Sequence, residues 1–264
     1  QTTWRLAKMN LAIRGIDGSN IKWNNEGSFL NDAHKDLKAD FIIANPPFND
    51  SDWSGNLLQN DSRWKYGIPP VSNANFAWVQ HMLFHLAPTG RAGIVLSNGS
   101  LSSNTSNEGK IRQEFIENNL VECIISLPDK LFYSTQIPAC LWFISKAKKR
   151  DEILLIDARK LGKLTGKKLR TFSDENINYL KDIFKKWESK EDYEDISGFC
   201  KSVSLSEIKE NDFTIQALGD NRQMVRWIYD NELGDVSEPF EIQDKYIVAM
   251  ITAVFVSVSS LFKY

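Results

Sequence analysis

The chain has 264 residues, 42% hydrophobic and 25% charged, which is enough apolar material for one large packed domain or two small ones. A formal net charge of −2 excludes the global basic excess that marks many nucleic-acid-binding proteins, so any such affinity must be local. Three widely spaced cysteines among apolar neighbours, Cys123, Cys140 and Cys200, exclude a disulfide framework and zinc ligation and point to an intracellular protein.

Thr2 or Thr3 can cap a helix over residues 4–13, whose apolar residues recur at helical spacing and which stops at Gly15. Gln1 stands inside this pattern with no targeting segment before it, as expected of a fragment. A short strand around Ser28-Phe29-Leu30 delivers Asn31-Asp32. The apolar run Phe41-Ile42-Ile43-Ala44 then breaks off at Asn45-Pro46-Pro47-Phe48. This predicts a buried parallel strand stopped at its C-terminal edge, where open α/β sheets keep their ligands.

Proline fixes its own φ, lacks an N–H and pushes the preceding residue toward extended geometry, so Asn-Pro-Pro holds the Asn45 side chain in one arrangement. The groups on offer are mainly acceptors: the Asn45 side-chain oxygen and the carbonyls of Asn45 and Pro46, with the flat ring of Phe48 alongside. Such a turn suits a planar group bearing an NH2. It could equally be a strand terminator without chemistry.

A polar loop from Asn49 to about Asn73 carries Trp53, Trp64 and Tyr66 and exceeds the usual loop length, which marks functional or mobile segments. Phe76 to Leu86 predicts an amphipathic helix, closed by Pro88-Thr89-Gly90 before a strand over residues 92–96. His81 and His85 lie four apart on it without a Cys or carboxylate partner at ligand spacing, so no metal is assigned. A helix over residues 109–118, a strand over 121–127 and another over 139–144 follow, the last two expected as an antiparallel hairpin at the sheet end. A strand over 153–157 and a helix from Ser173 to Trp187, with Ser173 as its cap, complete the pattern. Strands alternating with helices imply a doubly wound sheet.

Ten Lys/Arg against three Asp/Glu between Lys146 and Arg170 could face phosphate, or form an ordinary solvated surface. Tyr246 to Phe262 is seventeen residues without charge, marginal for a bilayer span and better suited to a buried strand or an aggregation-prone tail.

Thr3 to Leu11, Asn31-Asp32-Ala33, Asn45 to Phe48, Gly90 to Gly99 and the segment from Leu131 to Pro138 together, in this order, resemble the modification (M) subunits of type I restriction-modification systems. These are N6-adenine DNA methyltransferases, and the resemblance runs to about Phe213. It implies an α/β fold, a partial Rossmann-like S-adenosylmethionine-dependent methyltransferase sheet over residues 1–157, with a C-terminal helical extension over 158–213 that makes subunit contacts. Residues 214–264 stay unassigned. By the same resemblance Asp32, with Ala33 beside it, takes the cofactor's adenine amine, and Asn45, Pro46, Pro47 and Phe48 form the catalytic turn, Asn45 also bordering the cofactor. Phe48 stacks on the flipped adenine, and Phe132 or Tyr133 packs against its other side.

The implied cofactor is S-adenosylmethionine. The implied partners are double-stranded DNA, a specificity (S) subunit and a restriction (R) subunit, in a prokaryotic cytoplasm without membrane attachment. The family's glycine-rich cofactor loop has no counterpart, since no two of the fourteen glycines are spaced Gly-x-Gly. A truncated, non-catalytic subunit is therefore one alternative. Another is a protein-glutamine N5-methyltransferase, which also presents Asn-Pro-Pro to an amide NH2 but usually has Tyr where Phe48 stands.

Overall fold

The computed structural model describes residues 2–132, 137–166 and 169–215, and the backbone of 240–242 and 245–247. Two units are distinguished, Gln1–Val121 with Trp142–Lys148, and Glu122–Leu141 with Lys149–Tyr264. In chain order the elements are α1 (Thr2–Ile13), α2 (Gly27–Leu30), β1 (Ala39–Ala44), α3 (Asn75–His85), β2 (Leu86–Ser97), α4 (Glu108–Glu117), β3 (Val121–Ser126), β4 (Ala139–Ser145), β5 (Ile153–Asp157), β6 (Lys163–Thr165), β7 (Leu169–Thr171), α5 (Asp174–Ser189), β8 (Cys200–Val203), α6 (Leu205–Glu210), β9 (Phe240–Ile242) and β10 (Lys245–Ile247).

In the first unit β1 runs parallel to β2, with Phe41 opposite Arg91 and Ala44 opposite Ile94. The register jumps between Ala39 and Phe41, because Pro88-Thr89-Gly90 bulges out of the ladder instead of closing the helix ahead of it. Gly90 is needed there: a Cβ would sit 2.8 Å from the Ala39 carbonyl oxygen. β1 is not the buried strand expected from its apolar run, for Phe41 is 77% and Ile43 94% exposed. Its only strand neighbour is β2, so one rim and one face lack cover among the described residues.

α1 ends as predicted at Gly15, at φ +68°, where the Ile16 and Gly15 amides donate to the Leu11 and Ala12 carbonyls in a Schellman closure. Thr2 and Thr3 fall inside that helix rather than before it. The strand expected at Ser28-Phe29-Leu30 is instead the short helix α2, since three residues, two of them apolar, carry no decisive period. Asn24 sets its start by accepting from the Glu26 and Gly27 amides at 2.9 and 2.7 Å.

Residues 49–73 are not a loose loop. Trp53 and Trp64 are buried against Phe29, with ring centroids 5.2 and 6.3 Å away, and their indole N–H groups donate to the Pro70 and Leu58 carbonyls. The segment therefore has an aromatic core of its own.

In the second unit β3 and β5 are parallel, with Cys123 opposite Leu154 and Ser126 opposite Asp157, and β8 is antiparallel to β5. α5 carries the predicted cap: Ser173 Oγ accepts from the Asn176 amide, and the Asn176 side chain accepts from the Ser173 amide. Trp187 is buried and donates to Ser202 Oγ at 2.9 Å.

The expected hairpin of β3 and β4 forms, since Leu127 N donates to the Ala139 carbonyl and Ser145 N to the Leu120 carbonyl. It does not lie at the sheet end. The strand order is β1-β2-β4-β3-β5-β8, with β4 inserted between β2 and β3. A strand inside a sheet covered on both faces is apolar throughout, as residues 139–144 are, and β4 is buried over most of its length.

Half of the ten basic residues of the run from Lys146 to Arg170 are held by internal bonds. Lys146, Lys148, Arg150, Arg159 and Arg170 all donate within the chain, whereas Lys163 is exposed on the β6–β7 ribbon. All three cysteines are buried and free. Apart from the Tyr246 and Ile247 backbone, the apolar stretch to Phe262 lies outside the described residues. Among those described, no helix is long and apolar enough to cross a membrane.

Candidate functional site

Asn45 follows the last residue of β1, at the end of a parallel strand pair, as its sequence position predicts. Pro46 is buried, Phe48 half-buried, and Asn45 and Pro47 are exposed. The Asn45 side chain takes no hydrogen bond from the described residues, so its amide oxygen keeps full acceptor capacity.

The far end of the turn is fastened by a contact that the sequence did not announce. Asn49, in the left-handed region at φ 53°, exchanges bonds with the buried side chain of Asn75, the first residue of α3: Asn49 N donates to Asn75 Oδ1 at 3.0 Å, and Asn75 Nδ2 to Asn49 Oδ1 at 2.9 Å. Ala74 N adds a bond to the Asp50 carbonyl at 2.9 Å. Held by a strand at one end and a helix start at the other, the two prolines between leave Asn45 little conformational freedom.

Asp32 lies just after α2 in the same unit, half-buried, with Ala33 exposed beside it. Its Oδ1 accepts from the His34 amide at 2.8 Å and its Oδ2 lies 2.6 Å from His85 Nε2. Burial pushes the Asp32 carboxyl up, but the His34 amide and His85 outweigh it and hold the group below the usual carboxylate value. The carboxylate partner that the sequence did not offer to His81 and His85 is thus Asp32, 53 residues from His85.

Asp32, His81 and His85 present ligand-type atoms within 4.8 Å of one another. Their bonds describe a hydrogen-bonded network rather than a cation cage. Arg63 Nη1 lies 3.0 Å from His81 Nδ1, placing a guanidinium where a cation would have to be tolerated. The 2.6 Å between His85 and Asp32 is a hydrogen-bond separation, whereas two ligands on one metal at ~2.1 Å stand roughly 3.4 Å apart in a tetrahedral site.

Arg63, which nothing in the sequence singled out, ties this network together. It binds Asp61 through Nε and Nη2 at 2.8 and 2.7 Å, and its Nη2 donates to the Phe29 carbonyl at 2.5 Å, in the segment that leads to Asp32.

Burial, then the Arg63 charge, push the His81 ring down from 6.5 to about 4. Because the folded value lies below the unfolded one, its contribution is fully present above pH 6.5 and is lost as pH falls toward 4. By linkage the loss is on the order of 3 kcal/mol. Urea midpoints measured from pH 7.5 to 4.5 should fall accordingly, and His81→Gln should flatten that slope. Asp32 and Asp61, both held below 3.8, add their loss only at lower pH.

Phe132 is half-buried and belongs to the second unit, while Asp32, Asn45 and Phe48 belong to the first. Tyr133 lies outside the described residues.

A mostly parallel α/β sheet with this turn at a strand end defines the S-adenosylmethionine-dependent methyltransferase fold. Residues 1–221 match the family model described as N-6 DNA Methylase. The chain is similar to the type I restriction enzyme HindI methylase subunit of Haemophilus influenzae, at 51% identity over 215 residues, covering 81% of this chain and 48% of that protein. It is also similar to the MjaIX methylase subunit of Methanocaldococcus jannaschii, at 40% identity over 223 residues, 80% of this chain and 39% of that one. The structure resembles that of the type I restriction-modification system methyltransferase subunit from Streptococcus thermophilus, with a TM-score of 0.71 and 29% identity over 81% of this chain and 45% of that one. This chain belongs to the N-6 DNA methylase family. It spans about half the length, or less, of the relatives it matches.

Proposed function

We propose that this chain forms the catalytic part of a type I modification subunit, which methylates adenine N6 in double-stranded DNA in a complex with specificity and restriction subunits in the prokaryotic cytoplasm. Residues 1–157 carry the methyltransferase part and 158–213 the subunit contacts. The observation that carries the reading is the doubly anchored Asn45-Pro46-Pro47-Phe48 turn, with its exposed amide, at the end of β1.

The half-buried Asp32 carboxylate, ionised and held by two donors, fits an exocyclic amine, so Asp32, together with Ala33 and Asn45, is proposed to hold S-adenosylmethionine. When bound, that cofactor supplies an electrophilic methyl group on its sulfonium. Asn45 Oδ1 and the Pro46 carbonyl accept the two N–H groups of the target amine. Phe48 stacks on the adenine, with Phe132 or Tyr133 on its other side, offsetting part of the unstacking cost by about 1–3 kcal/mol per base.

The test is transfer of labelled methyl from S-adenosylmethionine to unmethylated duplex DNA by the whole subunit with its specificity partner, the product being identified as N6-methyladenine after digestion. Label on protein glutamine instead of DNA would overturn the reading.

A further inference from the structure

We propose that His85 is a positioning residue for cofactor recognition, fixing the Asp32 carboxylate from across the fold; this rests on the reading of Asp32 given above. Asp32 sits on residues 31–38, which form neither helix nor strand. A side chain there has rotamers to lose, and its oxygens need donors to hold one arrangement. The His34 amide supplies the first, at Oδ1.

His85 supplies the second, and its own geometry makes it a rigid donor. It is the last residue of α3, buried, with Nδ1 3.0 Å from the Leu37 carbonyl and Nε2 2.6 Å from Asp32 Oδ2. Leu37 O is an acceptor only, so Nδ1 carries the hydrogen of that bond, and the proton between Nε2 and Oδ2 belongs to the Asp32–His85 pair. The ring is thereby clamped at both ends of the 32–37 segment.

Its outer face is fixed as well. The His81 ring meets it edge-on with centroids 4.8 Å apart, and His81 is held by Arg63, which also grips the Phe29 carbonyl ahead of Asp32. The charged and titratable groups around His85 are therefore Asp32, His81, Arg63 and Asp61. Each oxygen of Asp32 retains a lone pair for a ligand amine after these bonds are made. The arrangement parallels the outer-shell orientation of ligating groups in other sites, where removing the orienter costs ten- to a hundredfold in affinity.

The test uses the whole modification subunit and equilibrium binding of S-adenosylmethionine by calorimetry, with thermal unfolding of every variant measured beside it. His85→Asn keeps an N–H for Leu37 but falls short of Asp32; His85→Gln reaches Asp32. The expected result is a loss of about tenfold in His85→Asn, as for a charge-assisted hydrogen bond, with most of it recovered in His85→Gln. In an Asp32→Ala background, His85→Asn should cost nothing further. Equal losses in the Asn and Gln variants, or an undiminished His85→Asn loss in the Asp32→Ala background, overturn the proposal. Should Asp32→Ala alone leave binding unchanged, the assignment of Asp32 to the cofactor fails instead.

Discussion

Asn45→Ala is expected to slow methyl transfer to adenine by about 10²–10³-fold in single turnover, the range found when one preorganised polar group is removed from a charge-stabilising site. An adenine amino nitrogen is a poor nucleophile because its lone pair is delocalised into the ring. Two acceptors on its N–H groups favour a more tetrahedral nitrogen and turn the lone pair toward the methyl group. They are effective only if already aimed, since reorienting them would consume the stabilisation. The anchoring of the turn at Asn49 and Asn75 provides that aim. Affinity for S-adenosylmethionine should change much less than the rate. Asn45→Asp separates acceptor chemistry from mere shape, because it keeps the oxygen that Asn45→Ala deletes. If Asp is as slow as Ala, acceptance of the amine N–H by Oδ1 is not what residue 45 contributes.

Arg63→Ala should destabilise the chain by about 3–5 kcal/mol, the usual cost of removing one partner from a buried ion pair. The Arg63 side chain is 7% and that of Asp61 19% exposed, so deletion leaves a half-buried carboxylate and the Phe29 carbonyl without their donor. Arg63→Lys should recover little, because a single ammonium cannot span Asp61, Phe29 and His81 as a planar fork does. Urea unfolding at pH 7.5 reads the loss. The double variant Arg63→Met with Asp61→Leu should cost less than Arg63→Ala alone, since it leaves no orphaned charge.

What the sequence disclosed was what short-range chemistry dictates. Two prolines after an apolar run stop a strand wherever the rest of the fold lies, so the position of Asn45 was legible. So were the Ser173 cap and the alternation of strands 41–44, 92–96 and 153–157 with helices, because each depends on residues within a turn or two. The place of β4 between β2 and β3 was not, since strand order is decided by which apolar faces need covering. Nor were Arg63, Asn75 and the Asp32–His85 bond legible. These are ordinary polar residues whose meaning comes from partners 18 to 53 positions away. Ser28-Phe29-Leu30 failed for a different reason: Phe29 is buried by the indoles of residues 53 and 64, which reward burial without requiring a strand.

The uncovered side of β1 has a practical consequence for anyone handling the chain in isolation. Among the described residues the strand's outer rim is a row of backbone groups with no strand partner, flanked by two exposed apolar side chains, Phe41 and Ile43, which invites another copy to dock alongside. Sedimentation should show self-association growing with protein concentration, and Ile43→Lys should suppress it.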